Sequence, residues 1–454
     1  RDKGARMKQR LYTLYRATER MKQWLSSRFT AVGKLFLLMA GVALLFGINI
    51  QGTMIYQIFG LVSSLLLLAF FASLRSHLNL QIQRALPKTC VAGQELYYTV
   101  VVENQGRRTI KGLLYREEPM EPLPSRREFI ASLEEGEETR NIFDRKMGYY
   151  RWLWLLHIRR RIASGDRELP ELPPGRIKAV ELSLLPLKRG IVHLRGCLFT
   201  ALDPLGLCQR QIHYESPQKL LVLPKLYPVP KLVLPGSRKY HQGGIIAAQN
   251  HGDSNEFISL REYNHGDPIK HIDWKSTARS GRAIVKQFRD EYFSRYGLVL
   301  DSFSVQPHSW IFEEAVSVAA SIMMTQDCEN SVLDLLFVGS QCVTCTVGRG
   351  LDDRQRMLET LASVTTCQDK SFAEMTGLVK RHAPMLSGII LVLIELDAQR
   401  QELLSYLAGN KIPVKVIVLF DNMAEFRAKR AAIKVEMPVN EIDLDHLEDQ
   451  LAFL

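Results

Sequence analysis

Three hydrophobic patterns follow one another along the chain. The first is continuous. Leu35–Ile50 is a run of 16 residues without a charge, and after Gln51-Gly52-Thr53 a second uncharged run, Met54–Leu74, covers 21. A bilayer core takes roughly 20 apolar residues of helix. The pair therefore reads as a transmembrane helical hairpin over residues 35–75, its first span extended by a snorkelling Lys34. The second pattern has period two. Leu96–Val102, Ile110–Tyr115, Val180–Leu185, Ile191–Leu194 and Leu220–Leu223 are short strand-like runs. Turn residues such as Asn104-Gln105-Gly106, Lys188-Arg189-Gly190 and Asp203-Pro204-Leu205-Gly206-Leu207 separate them. This predicts an antiparallel, immunoglobulin-like β-sandwich over residues 82–223, with Leu205 and Leu207 covering one end. In the third pattern, apolar strands alternate with amphipathic helices. The strands are Tyr296–Leu300, Val332–Val338, Cys342–Val347, Gly388–Leu396 and Val414–Phe420. The helices are Ile311–Met324, Arg354–Val364, Phe372–Arg381 and Gln399–Ala408. Residues 292–454 thus read as an α/β domain with a parallel sheet covered on both faces.

Charge changes the picture at the amino end. Residues 1–34 hold ten Lys and Arg against two acids, so most of the net charge of +11 lies there. The excess is a property of one segment rather than of a nucleic-acid-binding face, and no nucleic-acid partner is expected. Met7, Leu11, Leu14, Thr18, Met21 and Leu25 keep a heptad stripe through this segment, with Tyr12, Tyr15 and Trp24 beside it. A basic amphipathic helix on an anionic lipid bilayer follows, each Lys or Arg contributing about 1 kcal/mol. With Arg75 and Arg84 after the second run, the positive-inside bias puts both termini in the cytoplasm. The seven scattered cysteines fit a reducing compartment, and Cys342-Val343-Thr344-Cys345 lacks the second pair a metal site wants.

Two stretches depart from the three patterns. Met147–Arg161 reads MGYYRWLWLLHIRRR, too short to cross a bilayer as a helix. It reads either as a β-hairpin strand covered by the fold or as a membrane-touching hairpin. In the second case Trp152 and Trp154 lie at headgroup level and Arg159, Arg160 and Arg161 on phosphates. Residues 224–255, with Pro228, Pro230, Pro235 and Gly243-Gly244, read as a linker.

The densest stretch is 256–291. Arg261-Glu262-Tyr263 leads into a Gly266-Asp267-Pro268 turn, then Lys270, Ile272-Asp273-Trp274, Lys275, Ala278, Arg279 and Gly281. Asp273 is placed to cap a short helix that Gly281 ends. Arg261, Tyr263, Gly266, Asp267, Ile272, Trp274, Ala278 and Arg279 match the signature of the bacterial family called "domain of unknown function 58", which this stretch resembles. Lys270 stands where that family usually has Arg, so the charge is kept and the bidentate fork lost. The resemblance implies a protein of the bacterial inner membrane, a von Willebrand factor A-like domain, and partnership with a MoxR-type AAA+ ATPase. The stretch itself is expected to act as an interdomain brace. Trp274 would bury its ring, and Arg261, Lys275 and Arg279 would pair with Glu262, Asp267 and Asp273; such anchors also make interaction hot spots.

Chemistry is thinly represented. The resemblance implies a D-x-S-x-S metal motif after the first strand of the α/β domain. Here Asp301 is in place, but Phe303 and Val305 replace the serines, and Ser302 and Ser304 are out of register. No cofactor is expected, and a divalent cation would have only Asp301, Ser302 and Ser304 to work with. Glu262, His265, Asp267, His271 and Asp273 are hydrolase-type residues, but no nucleophile elbow, HExxH or Walker motif accompanies them. The reading is a membrane-anchored, non-enzymatic adaptor. The alternatives are a metal-dependent hydrolase using the His/Asp cluster and an envelope adhesion module using the sandwich.

Overall fold

The computed structural model describes residues 2–46, 53–74, 78–134, 136–232, 240–241, 257–267, 269–288, 292–304, 308–326, 331–339, 342–347, 351–432 and 437–454. Gln51-Gly52, Arg75, Gly243-Gly244, Pro268 and Val305 lie outside the described residues. The chain forms two compact units, Arg1–Leu223 and Pro224–Leu454.

The first unit begins with three helices, α1 (Asp2–Arg28), α2 (Ala31–Phe46) and α3 (Thr53–Leu74). Of the expected pair of spans, one is matched by length and composition. Helix α2 has 16 residues, a rise of about 24 Å against a hydrocarbon core of about 30 Å. Among the described residues, only Met54–Leu74 is long and apolar enough to cross a membrane. Helices α2 and α3 still pack together: Phe36 and Ala40 share a cluster with Val62, Leu66 and Ala69.

Strands β1 (Leu80–Ala85), β2 (Thr89–Val91), β3 (Leu96–Asn104) and β4 (Leu113–Pro119) come next. A helical insertion follows, α4 (Arg126–Ala131), α5 (Ile142–Met147) and α6 (Tyr149–Arg159). Strands β5 (Ile162–Ala163), β6 (Arg167–Glu168), β7 (Ile177–Pro186), β8 (Gly190–Leu202) and β9 (Gln209–Leu223) complete the unit. Two sheets result, ordered β1-β3-β7-β5 and β2-β9-β8-β4-β6. All pairs are antiparallel except β2 with β9. Their alternating inward residues, among them Val100, Val102, Tyr115, Leu184, Phe199 and Leu220, form one shared core, as period-two patterning requires.

The Asp203–Leu207 turn has a second use. Asp203 accepts from the Leu205 and Cys208 amides, so the loop is internally braced. Leu207 is buried, but against α2 and α3, while Leu205 is exposed. Thr30 donates its amide to the Leu207 carbonyl at 3.1 Å. A Cβ at Gly33 would lie 1.8 Å from that same carbonyl oxygen, so only glycine permits this approach.

The second unit starts with Pro224–Leu232, and its opening residues are not a loose linker. Tyr227, Val229 and Leu232 are buried, and the Tyr227 hydroxyl donates to Glu314 at 2.6 Å. Strand β10 (Tyr240–His241) and a hairpin, β11 (Phe257–Glu262) and β12 (Ile284–Phe288), follow, with α7 (Trp274–Ser280) between the hairpin strands. Then come β13 (Tyr292–Leu300), α8 (Trp310–Thr325), β14 (Ser331–Val338), β15 (Cys342–Val347), α9 (Leu351–Ser363), α10 (Ala373–His382) and β16 (Gly388–Leu393). The chain ends with α11 (Ala398–Gly409), β17 (Val414–Phe420), α12 (Met423–Ala432), β18 (Val439–Asp443) and α13 (Leu447–Leu451). The main sheet is ordered β15-β14-β13-β16-β17-β18. Only β15 runs against its neighbour along this path. Strand β16 is buried at every residue, the mark of a parallel strand covered on both faces.

Candidate functional site

The signature segment folds as a small module of the second unit. Strands β11 and β12 pair antiparallel with Glu262 opposite Ile284. The turn after β11 is held by Asp267, which is buried and takes both Arg261 Nη atoms, at 2.6 and 2.8 Å. Asp267 also accepts the Asn264 amide at 2.9 Å. Such bidentate charge-assisted pairs are the strong ones, and Asp267 raises the Arg261 pKa. Gly266 adopts φ +110°, which a side chain would strain. Asp273 accepts from the Lys275 and Ser276 amides and so caps α7; Gly281, at φ +69°, ends it. Ile272 bridges Val285, the Tyr263 amide donates to Ala283, and the Ile284 amide donates to Thr277 Oγ1. Every one of these contacts serves to place α7.

The expected Arg261–Asp267 pair is present, but the rest of what was expected of α7 is not. The Trp274 ring is not buried: the residue is 68% exposed. Lys275, Ala278 and Arg279 are also exposed. Positions 274 and 278, and 275 and 279, are one turn apart, so the four share one helix face. Neither Lys275 nor Arg279 pairs with an acid among the described residues, because the acids are engaged elsewhere. Glu262 pairs with Arg282 at 2.7 Å, Asp267 with Arg261, and Asp273 with the helix amides. Lys270 is exposed. His265 is exposed and His271 half-buried. Among the described residues, no three His, Cys, Asp or Glu side chains are grouped as a metal would need.

The other natural place for a ligand is the sheet's switch point. From β13 the chain goes first to β14 on one side and later to β16 on the other, and ligands favour the crevice beyond the carboxyl ends at such a reversal. Asp301 follows β13 there, fully buried. Arg400 of α11, also buried, fills the crevice. Its Nε donates to Asp301 Oδ2 at 3.0 Å, its Nη2 to Asp301 Oδ1 and the Phe303 carbonyl at 3.2 Å each, and its Nη1 to Asp397 Oδ2 at 2.6 Å. The guanidinium also lies 4.6 Å from the centre of the Phe372 ring. Burial pushes the Asp301 carboxyl up, and Arg400 pulls against it. For Arg400 burial works against the charge, but the Asp301 and Asp397 carboxylates outweigh it and the pKa is raised. Ser302 donates to the Val338 carbonyl at 2.5 Å, and Ser304 is half-buried. Asp301, Ser302 and Ser304 therefore do not converge on a vacant cation position: Asp301 already has an internal cation. The sequence reading missed Arg400, although a signal was present. Leu396, Arg400, Leu403, Leu404 and Leu407 keep a core-facing helical spacing in which only position 400 is charged.

The aromatic and basic stretch in the first unit is corrected as well. Residues 149–159 are helix α6, not a hairpin strand. Trp152 is buried against Phe129 of α4 and Tyr12 and Tyr15 of α1, and Trp154 packs on the edge of this cluster. The Tyr12 and Tyr15 hydroxyls donate to the Pro124 and Met147 carbonyls. Arg159 binds Glu128 and the Pro122 carbonyl, and Arg161 reaches the Ile191 carbonyl. Of the five residues assigned to lipid, only Arg160 and Arg161 are exposed, and Trp152 and Arg159 serve the insertion itself. Strand-forming aromatics become helical here because α1 supplies their partners.

Comparison with known proteins agrees on one segment. Residues 259–393 match the family described as "Protein of unknown function DUF58". The "Uncharacterized protein YeaD" of Bacillus subtilis (strain 168) is 28% identical over 186 residues, 40% of this chain and 44% of that protein. The chain thus matches less than half the length of this curated relative. Among solved structures, the CARDB domain of the PF1109 protein from Pyrococcus furiosus, crystallised in complex with di-metal ions, is 11% identical. It covers 32% of this chain and 93% of its own, with a TM-score of 0.16. The solution structure of the same domain gives 12% identity, the same coverage and the same score. The module built around Asp267 and Asp273, with the first strands and helices of the α/β sheet, is therefore the part of the chain that is similar to DUF58, a family described as of unknown function.

Proposed function

We propose that this chain is a membrane-anchored, non-enzymatic partner of a MoxR-type AAA+ ATPase, and that the outer face of α7 makes the contact. One observation carries the reading. The signature spends Arg261, Gly266, Asp267 and Asp273 on holding a seven-residue helix, and that helix then presents an exposed Trp274 beside Ala278 and Arg279. An exposed Trp and Arg on a rigid support is the composition of an interaction hot spot, where preorganisation lowers the entropy lost on binding. The ATPase as partner comes from the family resemblance. The same resemblance supports reading the α/β unit as a von Willebrand factor A-like domain and the protein as one of the bacterial inner membrane, while the two uncharged runs support a two-helix hairpin and the flanking Lys and Arg put both termini in the cytoplasm. The packing of α2 along α3 is in keeping with that anchor.

The test is purification from native membranes in mild detergent, followed by mass spectrometry, for the wild type and for Trp274→Ala with Arg279→Ala. The expected result is an AAA+ ATPase recovered with the wild type and lost with the variant, whose unfolding is unchanged. Equal recovery would remove α7 from the contact. No ATPase under nucleotide-trapping conditions would refute the adaptor reading.

A further inference from the structure

Helix α1 is docked by one face only. Leu11, Tyr12 and Tyr15 are buried on the insertion, whereas Met7, Leu14, Met21 and Trp24 are exposed. Positions 7, 14 and 21 lie seven residues apart, so they stay on one side of the helix. At its amino end this exposed stripe meets an open cleft of about 490 Å³ between α1 and α5. Met7 belongs to both. Lys8, Arg145 and Lys146 line the cleft, with Leu133 and Ile142 as an apolar rim; Ile142 is 70% exposed. The floor is Arg151 paired with Glu137, Nε to Oε2 at 2.9 Å, both buried. Burial pushes the Glu137 carboxyl up, yet the hydrogen bonds from Arg151 prevail and its pKa is lowered. That pair is closed on itself. Of the remaining cations, Lys8 also acts on Glu137, while among the described residues neither Arg145 nor Lys146 forms an ion pair. A cleft with two unpaired cations and apolar lips fits a ligand that is anionic at one end and apolar at the other.

We propose that this cleft is a site for the phosphate headgroup of an anionic lipid, reached because α1 lies along the membrane surface. Helix α1 has 27 residues, about 40 Å of length, and the cleft sits roughly 30 Å along it from the start of α2. Only a helix lying flat, with its Met7, Leu14, Met21 and Trp24 side toward the bilayer, brings the cleft to headgroup depth. The exposed apolar stripe has the form of such an interfacial helix. Cations beside it add the attraction to anionic lipid, and the cleft makes that attraction local. The site rests on the reading of α3 as a membrane anchor.

The full chain in a neutral detergent is titrated calorimetrically with short-chain phosphatidylglycerol, short-chain phosphatidylcholine and inorganic phosphate. Phosphatidylglycerol is expected to bind at least about tenfold more tightly than either of the others. Arg145→Gln with Lys146→Gln should weaken it about 30-fold while leaving the melting curve unchanged, since both side chains are exposed. Met21→Gln with Trp24→Gln should leave binding of the short-chain lipid intact but lower binding of the full chain to phosphatidylglycerol vesicles. Equal binding by wild type and the cleft variant overturns the proposal, as does inorganic phosphate binding as tightly as phosphatidylglycerol. Carbonate extraction of membranes separates the two readings. Release of the wild type refutes anchoring through α3 and the lipid site with it, whereas retention without a phosphatidylglycerol preference refutes the site alone.

Discussion

Arg400 and Arg279 are the same residue type on two helices of one unit, and their surroundings are opposite. Arg400 is buried at the switch point of the sheet and meets oxygens of Asp301, Asp397 and Phe303. Arg279 stands exposed on α7 with no ion pair among the described residues, next to an exposed Trp274. At the position where an α/β sheet usually receives a ligand, the chain has placed its own cation and stacked Phe372 over it. At the signature, a comparable set of internal contacts is used to hold a face open. A buried charge must be matched within the fold, because an unmatched one costs several kcal/mol. An exposed charge carries no such requirement and stays available to a partner. The contrast is the reason the proposed contact is put on α7 rather than at the carboxyl ends of the strands.

The comparison can be broken most severely at Arg400. Arg400→Met leaves two carboxylates buried or half-buried without their cation, and should destabilise the second unit by about 3–5 kcal/mol in urea unfolding. Adding Asp301→Asn should recover most of that loss. If Arg400→Met unfolds like the wild type, the guanidinium is not what closes the crevice. A sharper form of the same test uses metal. With Arg400 removed, the Asp301 and Asp397 carboxylates and the Phe303 carbonyl leave an oxygen-rich position of the kind hard cations take. Millimolar Mg²⁺ or Ca²⁺ should then raise the melting temperature of Arg400→Met and leave that of the wild type where it is.

Smaller effects are expected in the signature. Asp267→Ala strands Arg261 and the Asn264 amide, and should cost about 1–3 kcal/mol locally, read as faster hydrogen exchange along β11 and β12. Asp273→Ala should cost about 1 kcal/mol through the lost cap and fray α7, with Asp273→Ser retaining most of the helix. Trp274→Ala should change stability by no more than about 0.5 kcal/mol, the smallest shift of the series, and yet abolish recovery of the proposed ATPase partner. A Trp274→Ala loss as large as that of Arg400→Met would mean that Trp274 packs inward after all, and the contrast between the two sites would fail.

Much of the architecture was legible for local reasons. Asp273 and Gly281 could be read as a cap and a stop because both act within four residues of the helix end. The run of α3 could be read because it carries no charge over its whole length, and strands β16 and β17 because burial on both faces leaves a near-continuous apolar run, broken only by Lys415 near the start of β17. The helical insertion could not. Tyr149–Arg159 is rich in aromatics that suit a strand as well as a helix, and its core is completed by Tyr12 and Tyr15, well over a hundred residues earlier. Residues 224–232 looked like a linker because prolines punctuate them, and Tyr227 is buried only because Glu314 and Ser321 of α8 are there to receive it.

The sequence by itself therefore determined the succession of apolar, period-two and alternating segments, the apolar α3, the basic amino-terminal helix and the caps of the signature helix. Each depends on period, composition or contacts a few residues apart. Only the tertiary structure decided which charges are used up and which remain. Asp301 looked like the remnant of a metal site until Arg400, 99 residues later, was seen to occupy it. Trp274 looked like a buried anchor until the hairpin was seen to hold it outward. Whether a charged or aromatic side chain is satisfied depends on partners far away in sequence, and burial is settled by the whole fold rather than by the residue's neighbours in the chain.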